Sequence, residues 1–330
     1  MSNRSTGVTG IGNAIVDVLA HTEDDFLSRN GMAKGAMTLI EADEAERLYE
    51  QMGSGVECSG GSAANSMVAL ASLGGQASYI GKVRDDLLGQ VFRREISAAG
   101  VSFSTPAATA GPATARCLVF VTPDAQRTMQ TFLGASATLG PEDVDPETVA
   151  AAGITFLEGY LWDPPPAKEA FLKAAEIAHG AGRRVALTLS DPFCVDRHRE
   201  EFRDLVDRHI DVLLANEAEV ISLYEADGFD EAIGRLRGRC EITAVTRGEK
   251  GSLILSASEV IEIEADRVER VVDTTGAGDL FAGGFLFGLS QGRDLAACGR
   301  IASIAAGEII GHFGARPEVS LKELVQRKLG

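Results

Sequence analysis

The segment Asp273-Thr274-Thr275-Gly276-Ala277-Gly278-Asp279, continuing as Leu280-Phe281-Ala282-Gly283-Gly284-Phe285, decides how the rest of the chain is read. A glycine-rich turn runs straight into a helix that is apolar and small on its packed face. The first turn of a helix leaves backbone N–H groups unpaired, and the macrodipole adds partial positive charge there. Gly276, Ala277 and Gly278 carry little side chain to obstruct a phosphate, so the amides from about Ala277 to Asp279 can form an anion hole. Asp279, at the start of the helix, is placed to take a proton from a hydroxyl that attacks a phosphoryl group. Phosphoryl transfer asks mainly for alignment and charge stabilisation, and this arrangement supplies both. A lone G-A-G-D would more often be a plain turn with a capping acid. The longer string, with the small-residue helix behind it, points to function.

Outward from this segment, two helices are expected, from about Asp279 to Leu289 and from Leu295 to Gly311. Upstream, strands and helices alternate: Ile154–Leu157, Val185–Leu189, Val212–Ala215 and Ile242–Thr246 read as strands. Between them Ala167–Ala181, Arg199–Asp207 and Glu217–Tyr224 read as helices, and Ser252–Ser256 with Val260–Glu264 as a terminal hairpin. Such alternation predicts an α/β fold, a mostly parallel sheet covered on both faces, with ligands beyond the carboxyl ends of its strands. Nearer the N-terminus, Val8–Ala20 reads as one strand, Met37–Ile40 and Ala77–Ile80 as short ones, and Ala42–Met52, Asn65–Leu73 and Leu87–Ala99 as helices. Ala115–Val121, a turn at Thr122–Gln126 and Arg127–Leu133 read as a β-hairpin, out of step with the alternation and so expected in a separate small sheet.

The chain has 330 residues, and its 31 basic against 48 acidic residues leave a net charge of −17. Such a surface repels polyanions, so neither nucleic acid nor an anionic membrane is expected as a partner. A nucleotide remains compatible, because local amides and a divalent cation outweigh the global field. Cys58, Cys117, Cys194, Cys240 and Cys298 are odd in number and form no C-x-x-C pair, which favours reduced thiols over a disulfide framework or a zinc site. Met1–Gly7 is polar and no run approaches membrane-spanning length, so a soluble cytoplasmic protein is expected.

With its C-terminal segment and a second signature, Gly60-Gly61-Ser62-Ala63-Ala64-Asn65, the chain resembles the ribokinase-like (phosphofructokinase-B type) carbohydrate and nucleoside kinases over nearly its whole length. The resemblance implies a three-layer α/β/α core with a mostly parallel sheet, plus a small β-rich lid. Residues 1–14, 59–110 and 136–330 would form the large domain, and 15–58 and 111–135 the lid. It further implies ATP and Mg²⁺, with Asp279 as the base and Gly276, Ala277 and Gly278 as the anion hole. Gly12-Asn13-Ala14-Ile15-Val16-Asp17 is similar to the family's first strand, making Asp17 and Asn13 substrate residues beside Gly61, Ser62 and Asn65. Asn216-Glu217-Ala218-Glu219 resembles the N-x-x-E motif, in which Asn216 and Glu219 organise magnesium and phosphates through water. Thr246, Gly248 and Gly251 match the T-x-G-x-x-G turn that meets the nucleotide. Arg127 falls near a lid arginine of adenosine kinases, and Asp273 and Thr275 match positions for a monovalent cation such as K⁺, whose presence the sequence leaves open.

Ser62 stands where ribokinases usually have lysine, and Tyr160 resembles in placement an aromatic that stacks on the purine in adenosine kinases. The expected substrate is therefore adenosine, phosphorylated at its 5′-hydroxyl, with ribose, another small sugar or another nucleoside as the alternative. A dinucleotide-binding oxidoreductase is disfavoured, because Gly10-Ile11-Gly12 lacks the third glycine and continues as a strand. No Walker-type G-x-x-x-x-G-K-[ST] occurs, and a non-catalytic ligand sensor would not need Asp279. The sequence leaves open a monomer or a homodimer, and leaves Asp191 without a role.

Overall fold

The computed structural model describes residues 6–53, 55–124 and 126–330; residues 1–5, within the polar opening stretch, residue 54, and residue 125, within the expected hairpin turn, lie outside the described residues. The strands are β1 (Gly7–Ile11), β2 (Ile15–His21), β3 (Met37–Leu39), β4 (Val56–Gly60), β5 (Gln76–Ile80), β6 (Val101–Phe103), β7 (Ala115–Val121), β8 (Arg127–Phe132), β9 (Ile154–Glu158), β10 (Arg184–Thr188), β11 (Val212–Asn216), β12 (Ile242–Thr246), β13 (Ser252–Ser256) and β14 (Val260–Ile263). Among the described residues they form a nine-stranded sheet, in the order β14-β13-β12-β11-β10-β9-β1-β5-β6, and a five-stranded sheet, β3-β8-β7-β2-β4. The large sheet is parallel except at β13 and β14, so the carboxyl ends of β1 and β9 to β12 form one row. The expected α/β architecture with a second, smaller sheet is what the chain adopts.

The small residues of the signature helices have a packing reason. Helix Ala277–Ser290 lies against helix Ser62–Ser72 so closely that a Cβ on Gly283 would collide with the Ser66 backbone oxygen.

 The same Cβ would also come within 2.7 Å of the Ala69 methyl group in that helix. On the other side a Cβ on Gly284 would come within 2.8 Å of Ala302 Cα in helix Leu295–Ile309. Close approach of backbones therefore requires glycine here, and it sets the amino ends of the two signature helices side by side. Gly10 in β1 serves the same layer, since a Cβ there would come within 2.8 Å of Met67 Cγ.

Val8–Ala20 is not one strand, contrary to expectation. The chain leaves the large sheet after Ile11 and enters the small one at Ile15, turning through Gly12, Asn13 and Ala14. A Cβ on Gly12 would collide with the Glu158 carboxylate, which fills the inside of that turn. Helix Ser62–Ser72 begins three residues before the expected Asn65, and helix Pro192–His209 seven before Arg199. Asp191 caps the latter through its side chain, which accepts from Cys194 N at 2.6 Å, and this gives the residue a structural role. Strands β4 and β6 were not anticipated.

In the small sheet Val16, Val18, Leu118 and Phe120 are buried on one face with Leu27 and Leu48 from helices Asp24–Arg29 and Ala42–Gln51. Alternation sends Asp17, Cys58, Cys117 and Thr131, which lie opposite one another in register, to the other face. All five cysteines are free thiols. The chain re-enters the large unit from β4 through Gly60 and Gly61. Gly61 has φ at +97°, and a Cβ there would collide with the Asn13 backbone oxygen. Gly61→Ala is expected to lower unfolding stability by about 2–4 kcal/mol, read from urea denaturation; an unchanged midpoint would contradict the packing described.

Candidate active site

Helix Ala277–Ser290 starts from Gly276, whose φ of +78° suits glycine, and Ala277 N is turned back to Thr274 O at 3.2 Å. The amides of Gly278 and Asp279 have no acceptor among the described residues, and a Cβ at Gly278 would meet open space. These are free donors at a helix amino end, suited to a phosphoryl group.

The Asp279 carboxylate is held on both oxygens. Ser62 Oγ donates to Oδ1 at 2.6 Å and Asn65 Nδ2 to Oδ2 at 2.9 Å. Burial pushes this carboxyl above its ordinary value, while the two hydrogen bonds and the Arg316 guanidinium pull it back. Across the cleft, burial raises the Asp17 carboxyl to about 6, Arg316 and Arg127 opposing and Asp279 adding to the rise. Gly60 has no room for a Cβ because the Asp17 carboxylate occupies that space. Both signatures and the first strand of the small sheet thus converge on one place.

Arg127 reaches from β8 to Asp273, Nη1 to Oδ2 at 2.7 Å, with both side chains about a tenth exposed (9% and 11%). Its Nε and Nη2 are buried without a partner. The Asp273 carboxylate also accepts from Thr275 N at 3.1 Å, Thr275 Oγ1 at 2.8 Å and Gly314 N at 3.3 Å. A carboxylate surrounded by donors, one of them a guanidinium, does not suit an alkali ion. The expectation of K⁺ at Asp273 and Thr275 therefore does not fit this arrangement, and we place no cation there.

Asn13 is another departure. It is 2% exposed, and its side chain is spent on Glu158, Nδ2 to Oε1 at 2.8 Å, and on Ser136, whose Oγ donates to Oδ1 at 2.9 Å. Instead of lining the pocket freely, it braces the turn between β1 and β2. Glu158, itself 1% exposed, also accepts from Asn13 N at 3.2 Å and Ala63 N at 2.8 Å; burial raises its carboxyl to about 7. It ties that turn to the amino end of helix Ser62–Ser72. Tyr160 is half-buried beyond β9, its hydroxyl donating to Ser190 O at 3.2 Å, and Ser190 holds an unusual φ of +77°. Burial, then the charges of Asp191 and Asp279, raise the Tyr160 hydroxyl above its ordinary value.

The nucleotide motifs stand next to each other, because Asn216 and Thr246 are register partners at the ends of β11 and β12. Asn216 and Glu219 close a reciprocal capping box on helix Glu217–Tyr224: Asn216 N donates to Oε2 at 2.9 Å, Asn216 Nδ2 to Oε1 at 2.5 Å, and Glu219 N to Asn216 Oδ1 at 2.9 Å. Each carboxylate oxygen keeps a second lone pair, so a water-mediated role fits and direct ligation is not required. Among the described residues no group of three or more His, Cys, Asp or Glu could hold a metal. Gly248 and Gly251, with φ of +60° and +81°, shape the turn after Thr246; a Cβ at Gly251 would collide with the Ile263 oxygen, whereas Gly248 faces open space.

Burial raises the Glu219 carboxyl from 4.5 to about 7. The native state then holds a proton that the unfolded chain has released, so between those pH values stability falls as pH rises. The wild-type Tm relative to that of Glu219→Gln should therefore decrease from pH 5 to pH 7.5, as the wild type loses roughly 1–3 kcal/mol of unfolding free energy relative to the variant. A constant difference in scanning fluorimetry would contradict the burial of an ionisable group there.

Sequence reasoning missed Glu158 and Arg316. Glu158 carried a readable signal, an acid at the carboxyl end of an apolar strand. Arg316 carried none, since its partners are the Ser59 and Ala64 backbone oxygens and the Ser59 hydroxyl, far away in sequence.

Free helix-terminal amides suit a phosphoryl group and an adjoining carboxylate suits the hydroxyl that attacks it. Fold and site together define a phosphotransferase with an alcohol acceptor. The family model described as pfkB family carbohydrate kinase matches residues 33–321, and the chain belongs to that family. Among solved structures it is similar to the adenosine kinase from Sinorhizobium meliloti, at 50% identity and TM-score 0.91, covering 98% of this chain and 99% of that one. A probable sugar kinase from Rhizobium etli is similar at 49% identity and TM-score 0.91, with the same coverage of 98% and 99%. Among curated relatives, aminoimidazole riboside kinase of Salmonella typhimurium is 31% identical over 255 residues, 73% of this chain and 77% of that protein. Among the described residues no helix is long and apolar enough to cross a membrane.

Proposed function

We propose that the chain transfers the γ-phosphoryl group of ATP to the 5′-hydroxyl of adenosine, giving AMP and ADP. The observation that carries the reading is the Asp279 carboxylate, fixed by Ser62 and Asn65 beside the unpaired amides of Gly278 and Asp279. Asp279 accepts the hydroxyl proton as that oxygen bonds to the γ-phosphorus, and the bond to the β,γ-bridging oxygen breaks with its electron pair on ADP. The turn through Gly276 presents the free amides of Gly278 and Asp279, which stabilise charge on the transferring group, while the Ala277 amide is taken by Thr274 O. ATP with Mg²⁺ supplies the activated phosphoryl group and neutralises its charge; Asn216, Thr246, Gly248 and Gly251 would hold the nucleotide, with Glu219 meeting the metal through water.

Asp17 would anchor the ribose hydroxyls, Gly61, Ser62 and Asn65 would line the pocket, and Tyr160 would stack on the purine. Residues 15–58 and 111–135 would act as a lid on the remainder, Arg127 carrying its contact to Asp273. A half-buried Tyr160 just beyond the carboxyl end of β9 and the likeness to a structure named adenosine kinase support a nucleoside. The runner-up is a free sugar or another riboside; the likeness to a ribokinase of Staphylococcus aureus, 27% identical over 322 residues, favours keeping it. A panel of nucleosides and pentoses in one coupled ADP-release assay decides. Adenosine is expected to give the highest kcat/KM; a pentose preferred over every nucleoside would overturn the substrate, and binding without turnover would overturn the enzyme.

A further inference from the structure

Helix Leu295–Ile309 is followed by a loop whose Arg316 has no part in the chemistry above. Its guanidinium is spread over one short stretch of backbone. Nε and Nη2 donate to Ser59 O at 3.0 and 2.6 Å, Nη2 also to Ser59 Oγ at 3.0 Å, and Nη1 to Ala64 O at 3.2 Å. Ser59 and Ala64 bracket Gly60, Gly61, Ser62 and Ala63, so one side chain spans the turn from which Ser62 and Asn65 reach Asp279.

Every acceptor on Arg316 is neutral, and among the described residues no carboxylate forms an ion pair with it. The Arg316 side chain is half-buried, and a guanidinium partly withdrawn from water without a contacting counter-ion is costly unless charges nearby compensate it. The carboxylates that act on it are Asp17, from β2, and Asp279, with the Cys58 and Tyr79 groups alongside. Around Asp279 the other facing groups are Ser62 and Asn65 on their helix, Asp17 on β2, Glu158 at the end of β9 and the Tyr160 hydroxyl. Arg127, from β8, acts on Asp17.

We propose that Arg316 is a positioning residue for Asp279: it splints the turn from Ser59 to Ala64, so that Ser62 and Asn65 hold the carboxylate in place. Its positive charge also favours the carboxylate form, against the burial that raises this group. The inference deepens the phosphotransferase reading and rests on it for its catalytic consequence. Arginine suits both tasks, since its planar fork reaches two carbonyls at once, which a lysine ammonium on a flexible stem does not.

The test follows the Asp279 carboxyl carbon by NMR in the full, ligand-free chain labelled at aspartate, its resonance assigned by its loss in Asp279→Asn. In Arg316→Met the titration midpoint of Asp279 should rise by about one pH unit, and the acidic limb of the kcat/KM profile should rise with it. Arg316→Lys keeps the charge, so the midpoint should stay at the wild-type value while kcat falls by about tenfold through lost alignment. A midpoint unmoved in Arg316→Met overturns the electrostatic role, and wild-type kcat in Arg316→Lys overturns the splint. If Arg316→Met does not fold, the lysine variant decides alone: either an upward-shifted midpoint or an unchanged kcat rejects the proposal. Absence of phosphoryl transfer by the wild type would reject the kinase reading instead, while the carboxyl titration would still judge Arg316.

Discussion

Asp279→Asn is expected to lower kcat by about 10²- to 10⁴-fold with little change in the KM for ATP. Asparagine keeps the shape of the side chain and can be accommodated by its neighbours. Its oxygen can accept from Asn65 Nδ2, and its amide can donate to Ser62 Oγ, which turns from donor to acceptor. The chemistry is lost because an amide cannot take the hydroxyl proton. Burial of the native carboxylate, which raises its pKa, also means that the charged form is disfavoured in the folded chain. At neutral pH the variant should therefore be no less stable than the wild type, a stability–activity trade-off at a functional position. Steady-state kinetics and Tm, taken together, check this. Turnover near the wild-type value in a folded Asp279→Asn would reject the base assignment.

The second large effect is expected at Asp17. Asp17→Asn should reduce kcat/KM for the acceptor by about 10²- to 10³-fold, with the KM for ATP unchanged. A carboxylate accepts from two hydroxyls, whereas an amide presents a donor to one of them. The carboxyl lies near pH 6 in the protein, raised by burial above its value of 3.8. Acceptor binding by the wild type should therefore weaken as pH falls through about 6, as the carboxylate takes up a proton. In Asp17→Asn that dependence should vanish. Equal acceptor kinetics in the two proteins across pH 5–8 would exclude Asp17 from the acceptor site.

What the sequence could reveal of this site follows from where each signal resides. The turn and helix from Gly276 to Ser290 were legible because their constraint is local: glycine for the turn, small residues for backbone contact, an acid in the first turn. The same holds for Asn216 and Glu219, whose reciprocal hydrogen bonds lie within one helical turn. The passage of the chain from β1 to β2 was not legible. Val8–Ala20 is a mostly apolar run in which Gly10, Gly12 and Asn13 give no clear break, and the group that bends it, Glu158, lies far along the chain. Nor does a short strand such as β4, mixing Val56, Glu57, Cys58, Ser59 and Gly60, show a period strong enough to read. Arg127 could be marked as a lid residue, but its partner Asp273 emerges only when β8 is laid over the signature turn. Asp273 matched a position for a monovalent cation whose presence the sequence left open, and it holds a guanidinium, because a carboxylate in sequence does not disclose which cation it meets.

The most direct measurement is a crystal structure of the full chain with adenosine and a non-hydrolysable ATP analogue. The account predicts the 5′-hydroxyl within roughly 3 Å of an Asp279 carboxylate oxygen, with the γ-phosphate facing the amides of Gly278 and Asp279. A 5′-hydroxyl turned away from residue 279, with the phosphate bound elsewhere, would contradict it.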